Sequence, residues 1–576
     1  MALPLARFRP RLIDALAGGY GREQLARDVA AGATVGVVAL PLAMAFGIAS
    51  GVKPEQGLVT AVVAGFLISL LGGSRVQIGG PAGAFVALLY AIVDKHGVAG
   101  LLMATSMGGA ILVAMGVLRL GGLIRFVPVS IVVGFTNGIA VFIALQQVKD
   151  FLGLSIERMP SNFLSQLATL ARHAGSVDPT AVAIGAASLA LVLAWPKTYA
   201  PGQARWRRLA ARVPGTVLVL VLATAAVSIG HLPVETIGTR FGGIPRGLPA
   251  FAPPAFDWAV AQDLLMPAVS IALLGAIESL LCARVADSMI GDRHDPNQEL
   301  VAQGVANFVV PFFGGVAATG TIARTVTNVR SGGRTPVAGM VHAATVLLVV
   351  LLAAPLATDV PLAALAAILL SVAWNMGDWR AFGRLRQMTT SYRVTMLATF
   401  ALTVVFDLVV AIEAGLVLAS LGFIFRLAAL SNVEPIRLPA DLARPAAGVR
   451  VDAWRLFGSL FFGSVTKMEF LLDPAAPLPD ALVLEMHQLI NLDETGLDAL
   501  ETLAGLLERR GGRLFLAEPT SQPLGKMTRT GFIERIGRDA VFDELADALD
   551  AARAFARQRA EPGAARPAAS RAPRGD

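Results

Sequence analysis

Apolar stretches about 20 residues long, separated by short polar gaps, recur along this chain from about residue 28 to 430. No other feature constrains the fold as much. A backbone crossing hydrocarbon must satisfy its own hydrogen bonds, so each stretch reads as a helix, and crossing takes roughly 20 mainly apolar residues. About fourteen such segments can be read, some too short to span. With 55% hydrophobic and 15% charged residues over 576 positions, the composition excludes a soluble multidomain enzyme.

The net charge of +7 does not point to nucleic acid, because the basic residues lie in gaps between apolar segments and form no aromatic-lined face. Lys197, Arg205, Arg207, Arg208 and Arg212 fill one gap, and Arg380, Arg384, Arg386 and Arg393 fill another. Counting spans from an N-terminal tail that carries Arg7, Arg9, Arg11, Arg22 and Arg27 puts both gaps, with Arg119 and Arg125, on the cytoplasmic side. The expected setting is a bacterial plasma membrane crossed many times, with both termini cytoplasmic. Cys282 is the sole cysteine, which rules out an intrachain disulfide and a cysteine-rich metal site. No cleavable signal peptide is apparent, since an Arg-rich polar stretch precedes the first apolar run. No Gly-Lys-Ser/Thr nucleotide loop occurs, so neither ATP-driven transport nor an enzyme is expected, and no cofactor is implied.

Four regions follow: a cytoplasmic tail over 1–27, a transmembrane transport domain over 28–432, a soluble α/β domain over 448–556 and a disordered tail over 557–576. Two places interrupt the long helices. Gly79, Gly80, Pro81 and Gly83 precede an apolar segment of about ten residues, 84–93, and Gly314, Gly315, Gly320 and Thr321 precede a second short one. Irregular backbone at membrane depth is tolerated where it lines a cavity or is buried in protein. Interrupted segments at matching positions of two halves are the pointer to an inverted-repeat transporter with its substrate near the midplane. Each break falls third in its half if the halves begin near Asp28 and Gln262.

Arg324 stands in the first turn after the second break. A cation at membrane depth costs about 2.5–3.5 kcal/mol or more and must face a partner or a cavity. If the half-helices meet head to head, the free amides near Gly83, Ala84, Ile322 and Ala323 converge with Arg324 on one point, beside Thr321, and the natural ligand is an anion. A bridging role for Arg324, through carboxylate or carbonyl contacts, is the alternative. Glu278 is the other ionisable outlier, in the apolar run 271–282, and reads as a proton carrier, a sodium ligand or a partner of Arg324. Phe46 and Phe85 are candidates for an apolar wall. Asp407 and Glu413 read as a turn between the last two spans, and His342 as a core histidine.

At these residues the chain resembles the SulP family of anion transporters. The matching stretches are Pro-Leu-Ala-Met-Ala-Phe-Gly-Ile-Ala-Ser-Gly from Pro41, Gly-Gly-Pro-Ala-Gly-Ala-Phe from Gly79, the Glu278 helix with Ala-Asp-Ser-Met after it, and the Arg324 segment ending in Arg-Ser-Gly-Gly-Arg-Thr-Pro. The resemblance implies an α-helical polytopic membrane protein whose seven-plus-seven inverted repeat builds a core and a gate domain. It also implies a homodimer.

The soluble region has strand patterns over 451–462, 481–486 and 513–517 and an amphipathic helix over 493–510. Leu-Asp-Glu-Thr-Gly-Leu-Asp-Ala-Leu, from Leu492, is similar to the helix start of STAS domains. There Thr495 reads as a helix cap or as a regulatory hydroxyl. Leu42 stands where sulfate carriers of the family often have Gln, and Cys282 near where sodium-dependent bicarbonate members have a hydroxyl. The Pro-Leu-Ala-Met-Ala and Ile-Ala-Arg-Thr forms are closer to proton-coupled dicarboxylate carriers. The expected function is secondary transport of a small anion, a dicarboxylate, sulfate or bicarbonate, coupled to protons rather than sodium. A nucleobase permease of similar architecture and a membrane-anchored STAS regulator are the alternatives.

Overall fold

The computed structural model describes residues 8–122, 128–196, 214–405 (apart from 246, 248 and 255), 408–438, 450–473 and 478–560. The basic gap at Lys197–Arg212, together with Arg7, Arg125, Asp407 and the tail from 561, lies outside the described residues. The chain divides into two units, 1–419 and 420–576.

In the first unit the helices α1 (Arg22–Ala49), α2 (Pro54–Leu71), α3 (Val86–Val117), α4 (Val129–Leu152), α5 (Pro179–Ala194) and α6 (Gly215–Gly230) belong to the first half. The second half holds α7 (Leu265–Ile290), α8 (Pro296–Val309), α9 (Ile322–Arg330), α10 (Val337–Ala353), α11 (Leu362–Met376), α12 (Thr390–Val405) and α13 (Leu408–Leu430), the last running across the division between units. Helix α3 is two segments, because Gly97 sits at φ 68, ψ −176, outside helical space. Setting aside short connecting helices such as Phe163–Arg172, each half therefore contributes seven segments among the described residues, the third being a half-helix after a break. Helix α1 already begins at Arg22, inside the stretch read as tail, and Glu413 falls within α13 rather than in a turn.

The densest packing groups α1, α2 and α3 with α7, α8 and α10, and separately α4 with α5, α11 and α12. Those two bundles are the core and the gate. Small residues let the backbones touch, which replaces the hydrophobic driving force that lipid removes. A Cβ on Gly109 of α3 would stand 2.3 Å from the Phe308 amide of α8, and one on Gly304 of α8 would stand 2.5 Å from the Val113 amide of α3. In the gate, a Cβ on Gly134 of α4 would meet the Met396 carbonyl of α12 at 2.4 Å.

The second unit contains a sheet ordered β3 (Asn432–Pro435), β4 (Val451–Leu460), β5 (Ala481–Glu485), β7 (Arg513–Ala517), β8 (Val541–Phe542), with β6 (Leu489–Leu492) on β4. Strands β4, β5 and β7 are parallel, and α14 (Glu494–Arg509) is the connection between β6 and β7. Every residue of β5 is buried, as an apolar run between two parallel neighbours requires. Helices α15 (Ser521–Arg529) and α16 (Leu545–Ala560) complete the unit, and α16 carries helix through 557–560, which the sequence reading gave to the tail.

Candidate functional site

The two breaks meet. Strands β1 (Gly79–Gly80) and β2 (Thr319–Gly320) pair antiparallel, Gly79 opposite Gly320 and Gly80 opposite Thr319. Each half-helix starts within three residues of this crossing: the first as a short 3-10 turn, Gly83–Phe85, leading into Val86, the second directly at Ile322. The first-turn amides of a helix have no intrahelical acceptor, so both half-helices bring free N–H groups and their positive ends to the crossing.

Four side chains, Thr321 at the cap of α9 and three from one face of the helix, hold the first break and the residues just before it. Thr321 donates its hydroxyl to the Ile78 carbonyl at 3.0 Å, Thr325 accepts from the Ile78 amide at 3.0 Å, and Asn328 donates to the Val76 carbonyl at 2.9 Å. Arg324 is the fourth. It is 1% exposed, donates from Nη2 to the Pro81 carbonyl at 3.3 Å, and its Nη1 has no hydrogen-bond partner among the described residues. That nitrogen would be 2.4 Å from a Cβ at Gly80, whose φ of +153 lies in the range glycine favours. The carbonyl-bridging alternative thus describes one nitrogen of the guanidinium and leaves the other unaccounted for.

The predicted residues are distributed unevenly around this point. Ile322 is 41% exposed and Ala323 is exposed as well, whereas Ala84 and Phe85 are buried. Phe46 lies against the first half-helix: a Cβ on Gly83 would stand 3.2 Å from its ring and 3.5 Å from Ile143 of the gate helix α4. Phe85 turns inward, its ring tip 3.4 Å from where a Cβ on Gly275 would stand. Phe46 therefore packs over the opening of the first half-helix, and Phe85 packs inward against α7.

Helix α7 runs beside the crossing. Thr319 donates to the Gly275 carbonyl at 3.1 Å, and the Cys282 thiol donates to Thr325 Oγ1 at 3.2 Å. Glu278 lies between Gly275 and Cys282 at helical spacing, on the same face of α7. It is half-buried and forms no hydrogen bond or ion pair among the described residues, so the pairing with Arg324 is absent.

Several supporting residues went unread in the sequence. Asn307 of α8 donates to the Ala318 carbonyl and accepts from the Ala318 amide, both at 2.8 Å, holding the approach to β2. Glu299 accepts from the amides of Gly73 and Ser74 at 2.9 and 3.1 Å, and Asp28 from those of Arg334 and Thr335 at 2.8 and 3.3 Å. Each is a polar residue buried in an apolar helix, and that rarity was the available signal.

In the second unit Asp493, not Thr495, caps α14, accepting from the Gly496 amide at 2.8 Å. Thr495 sits inside the first turn, exposed, so the capping expectation is corrected. Beside it, Lys526 donates to Glu494 at 2.6 Å and holds that carboxyl below its ordinary range.

A family model described as the sulfate permease family matches residues 25–399, and a STAS domain model matches 450–548. The chain belongs to the sulfate permease family. Like other members it is a multi-pass membrane protein with a C-terminal STAS domain. This member is 40% identical to YvdB, a putative sulfate transporter of Bacillus subtilis, over 91% of its own length and 97% of the relative's. It is 32% identical to the solved transmembrane domain of BicA, a bicarbonate transporter of a cyanobacterium, over 68% of this chain and 98% of that one, with a TM-score of 0.61. Murine Slc26a9, an anion transporter, shares the fold: 18% identity over 95% of this chain and 94% of that one, TM-score 0.81. These relatives are named as transporters, not enzymes, and the family assignment displaces the nucleobase-permease alternative.

Proposed function

We propose that this member is a secondary active transporter that carries a small oxyanion with a proton across a bacterial plasma membrane. The observation that supports this most is Arg324: a fully buried guanidinium, one nitrogen unpartnered among the described residues, in the first turn of a half-helix at the crossing of two breaks. An anion there takes that nitrogen and the free amides around Gly83, Ala84, Ile322 and Ala323, while Phe46 keeps water from one side. Ala84 contributes backbone only in this reading, and Thr321 frames the site without binding, since its hydroxyl and its amide are both committed to the Ile78 carbonyl.

Glu278 supplies the coupling. A core that moves against the gate through lipid-facing surroundings is favoured when its internal charges cancel. Empty, Arg324 is offset by an ionised Glu278 on the same crossing. Loaded with a monovalent anion, Arg324 is offset by the ligand, and Glu278 must then be protonated. The neutral states are the empty core and the core carrying anion and proton together, which is symport. Sodium has no comparable place, because the carboxylate is alone and Cys282, near it, already donates to Thr325.

Among the described residues only Arg324 and Lys149 are buried cations of the first unit, and Lys149 lines a separate cavity. One charge at the crossing and a neutral loaded core favour a compact monovalent oxyanion such as bicarbonate; sulfate, a compact dianion, ranks next and a dicarboxylate after it, an order that the names of the bicarbonate and putative sulfate transporter relatives support. Cytoplasmic termini, homodimers and regulation through the exposed Thr495 hydroxyl complete the proposal. Uptake into proteoliposomes under an imposed proton gradient, across bicarbonate, sulfate, fumarate and uracil, tests it. Anion accumulation that collapses with the gradient is expected. Uptake of uracil alone, or of nothing, overturns it, and a STAS regulator without transport becomes the better reading.

A further inference from the structure

A second charged cavity lies in the first unit, at the face where α1 ends, away from that helix's basic start. Its volume is about 460 Å³, and it is bounded by the end of α1, the half-helix segment of α3 around Tyr90 and Asp94, the end of α4 and the loop that follows. Five charged side chains there are arranged in pairs or exposed: Arg158 bridges to Asp94 at 3.0 Å, Arg240 bridges to Asp150 at 2.8 Å, and Glu157 is exposed. The sixth is not. Lys149 is 7% exposed, has no carboxylate within salt-bridge distance among the described residues, and donates only to the Glu157 carbonyl at 3.2 Å. One turn earlier on the same face of α4, Gln146 is 6% exposed, and neither its amide nitrogen nor its amide oxygen has a partner.

A buried ammonium and a buried, unsatisfied carboxamide are each unfavourable, and both line the same opening. The end of α4 offers part of the explanation for Lys149, since a cation complements the negative end of a helix. It does nothing for Gln146, whose free N–H₂ sits where an acceptor is missing. A ligand bearing negative oxygens accepts from both donors at once, a charge-assisted bond from Lys149 and a neutral one from Gln146 Nε2, and a hydroxyl on the same ligand, as in bicarbonate, donates to Gln146 Oε1. A cation fits worse, because Asp94 and Asp150 already have arginines.

We propose that this cavity is a second binding site for a small oxyanion, held by Lys149 and the Gln146 carboxamide and distinct from the crossing at Arg324. It stands apart from the transport reading, since binding here requires no turnover. In a transporter it is a capture site, concentrating the anion beside the half-helix whose other end forms the crossing.

The test uses the full chain in lipid nanodiscs, with sulfate and bicarbonate replacing gluconate at constant ionic strength and thermal unfolding as readout. R324A disables the crossing, and the expected result is a residual, saturable stabilisation by the oxyanion. Adding Lys149→Met to R324A should raise the half-saturating concentration by about tenfold or more, and Lys149→Arg should restore it. Gln146→Leu should shift it in the same direction by less. Should R324A not fold, R324K weakens the crossing while keeping its charge, and the same order of variants is expected. Absence of oxyanion stabilisation in the Arg324 variants overturns the proposal, as does equal stabilisation with Met at 149. Uptake by the wild-type chain is read separately, so uptake together with no Lys149 effect on oxyanion stabilisation sinks this site and leaves the function intact.

Discussion

The two breaks in the membrane unit occupy equivalent places in the repeat and do different work. The first, at Gly79–Phe85, offers backbone: two glycines in a strand, a carbonyl at Pro81 and a 3-10 turn closed over by Phe46 and Ile143. The second offers side chains, with Thr321 at the cap of α9 and Arg324, Thr325 and Asn328 on one face of it all reaching to the first break and the residues just before it. Its own first turn is open at Ile322 and Ala323. In the proposed reading the inverted repeat gives two helix ends for one ligand, and this chain has kept one as a frame and loaded the other with charge. Ala84, four residues after Gly80 as Arg324 is four after Gly320, is small where the second segment has Arg324, so the charge is single.

That asymmetry is most exposed at Glu278, which lies on the face of α7 that bonds the second break and has no counterpart on the first. Glu278→Gln should abolish proton-driven accumulation while leaving exchange of anion across the membrane. The empty core then carries the uncancelled charge of Arg324, so anion affinity should be retained or higher. Concentrative uptake by the Gln variant with an unchanged pH profile would remove Glu278 from coupling.

Next in size is Arg324→Ala. Losing a charge-assisted hydrogen bond to the ligand should weaken anion binding by about 1.5–3 kcal/mol, or roughly 10- to 150-fold. Gly83→Ala, the matched change at the first break, adds a methyl 3.2–3.5 Å from Phe46 and Ile143 and should alter affinity far less. Equal effects at the two positions would mean that the breaks share the ligand evenly and that the division of labour is wrong.

Much of this was legible in the sequence. Length and hydropathy gave the segments, and Gly-Pro and Gly-Thr clusters gave both breaks, because regular membrane helices have little use for either. Arg324 and Glu278 stood out as ionisable groups in apolar runs. What stayed hidden was pairing. Nothing local says that Thr325 accepts from Ile78, 247 residues earlier, or that Phe85 turns inward while Phe46 packs over the first half-helix. The split of α3 was legible in part: the short apolar segment ends at 93, before Asp94, Lys95 and His96, and Gly97 just after them makes the break. Thr495 failed for a different reason: two residues at a helix start were able to cap, and Asp493, one position outside the helix, has the geometry for it.

Thr325→Val probes the frame rather than the ligand. The methyl replaces the acceptor of the Ile78 amide, leaving a buried N–H unpaired, which costs about 1–3 kcal/mol of stability. A lower unfolding temperature is expected, with anion affinity changed only in proportion to how far β1 shifts. An unaltered melting temperature would show that the grip of α9 on the first break contributes little, and that the strand pair alone holds the crossing.

The smallest effect belongs to removal of the STAS region. Every group assigned to the anion lies between Phe46 and Arg324, and the residues that fix those groups, from Asp28 to Asn328, all belong to the first unit. Binding energy is local to the contacts and to the scaffold that holds them, so a chain ending near Asn432 should bind the anion with an affinity within about twofold of the full chain. The turnover rate is free to fall, since a movement of core against gate has energy terms that a binding site does not. Equilibrium titration of the truncated protein, confirmed folded by its melting transition, reads the first quantity without the second. A well-folded truncation that no longer binds would place part of the site, or a condition for its assembly, beyond the crossing of the two breaks.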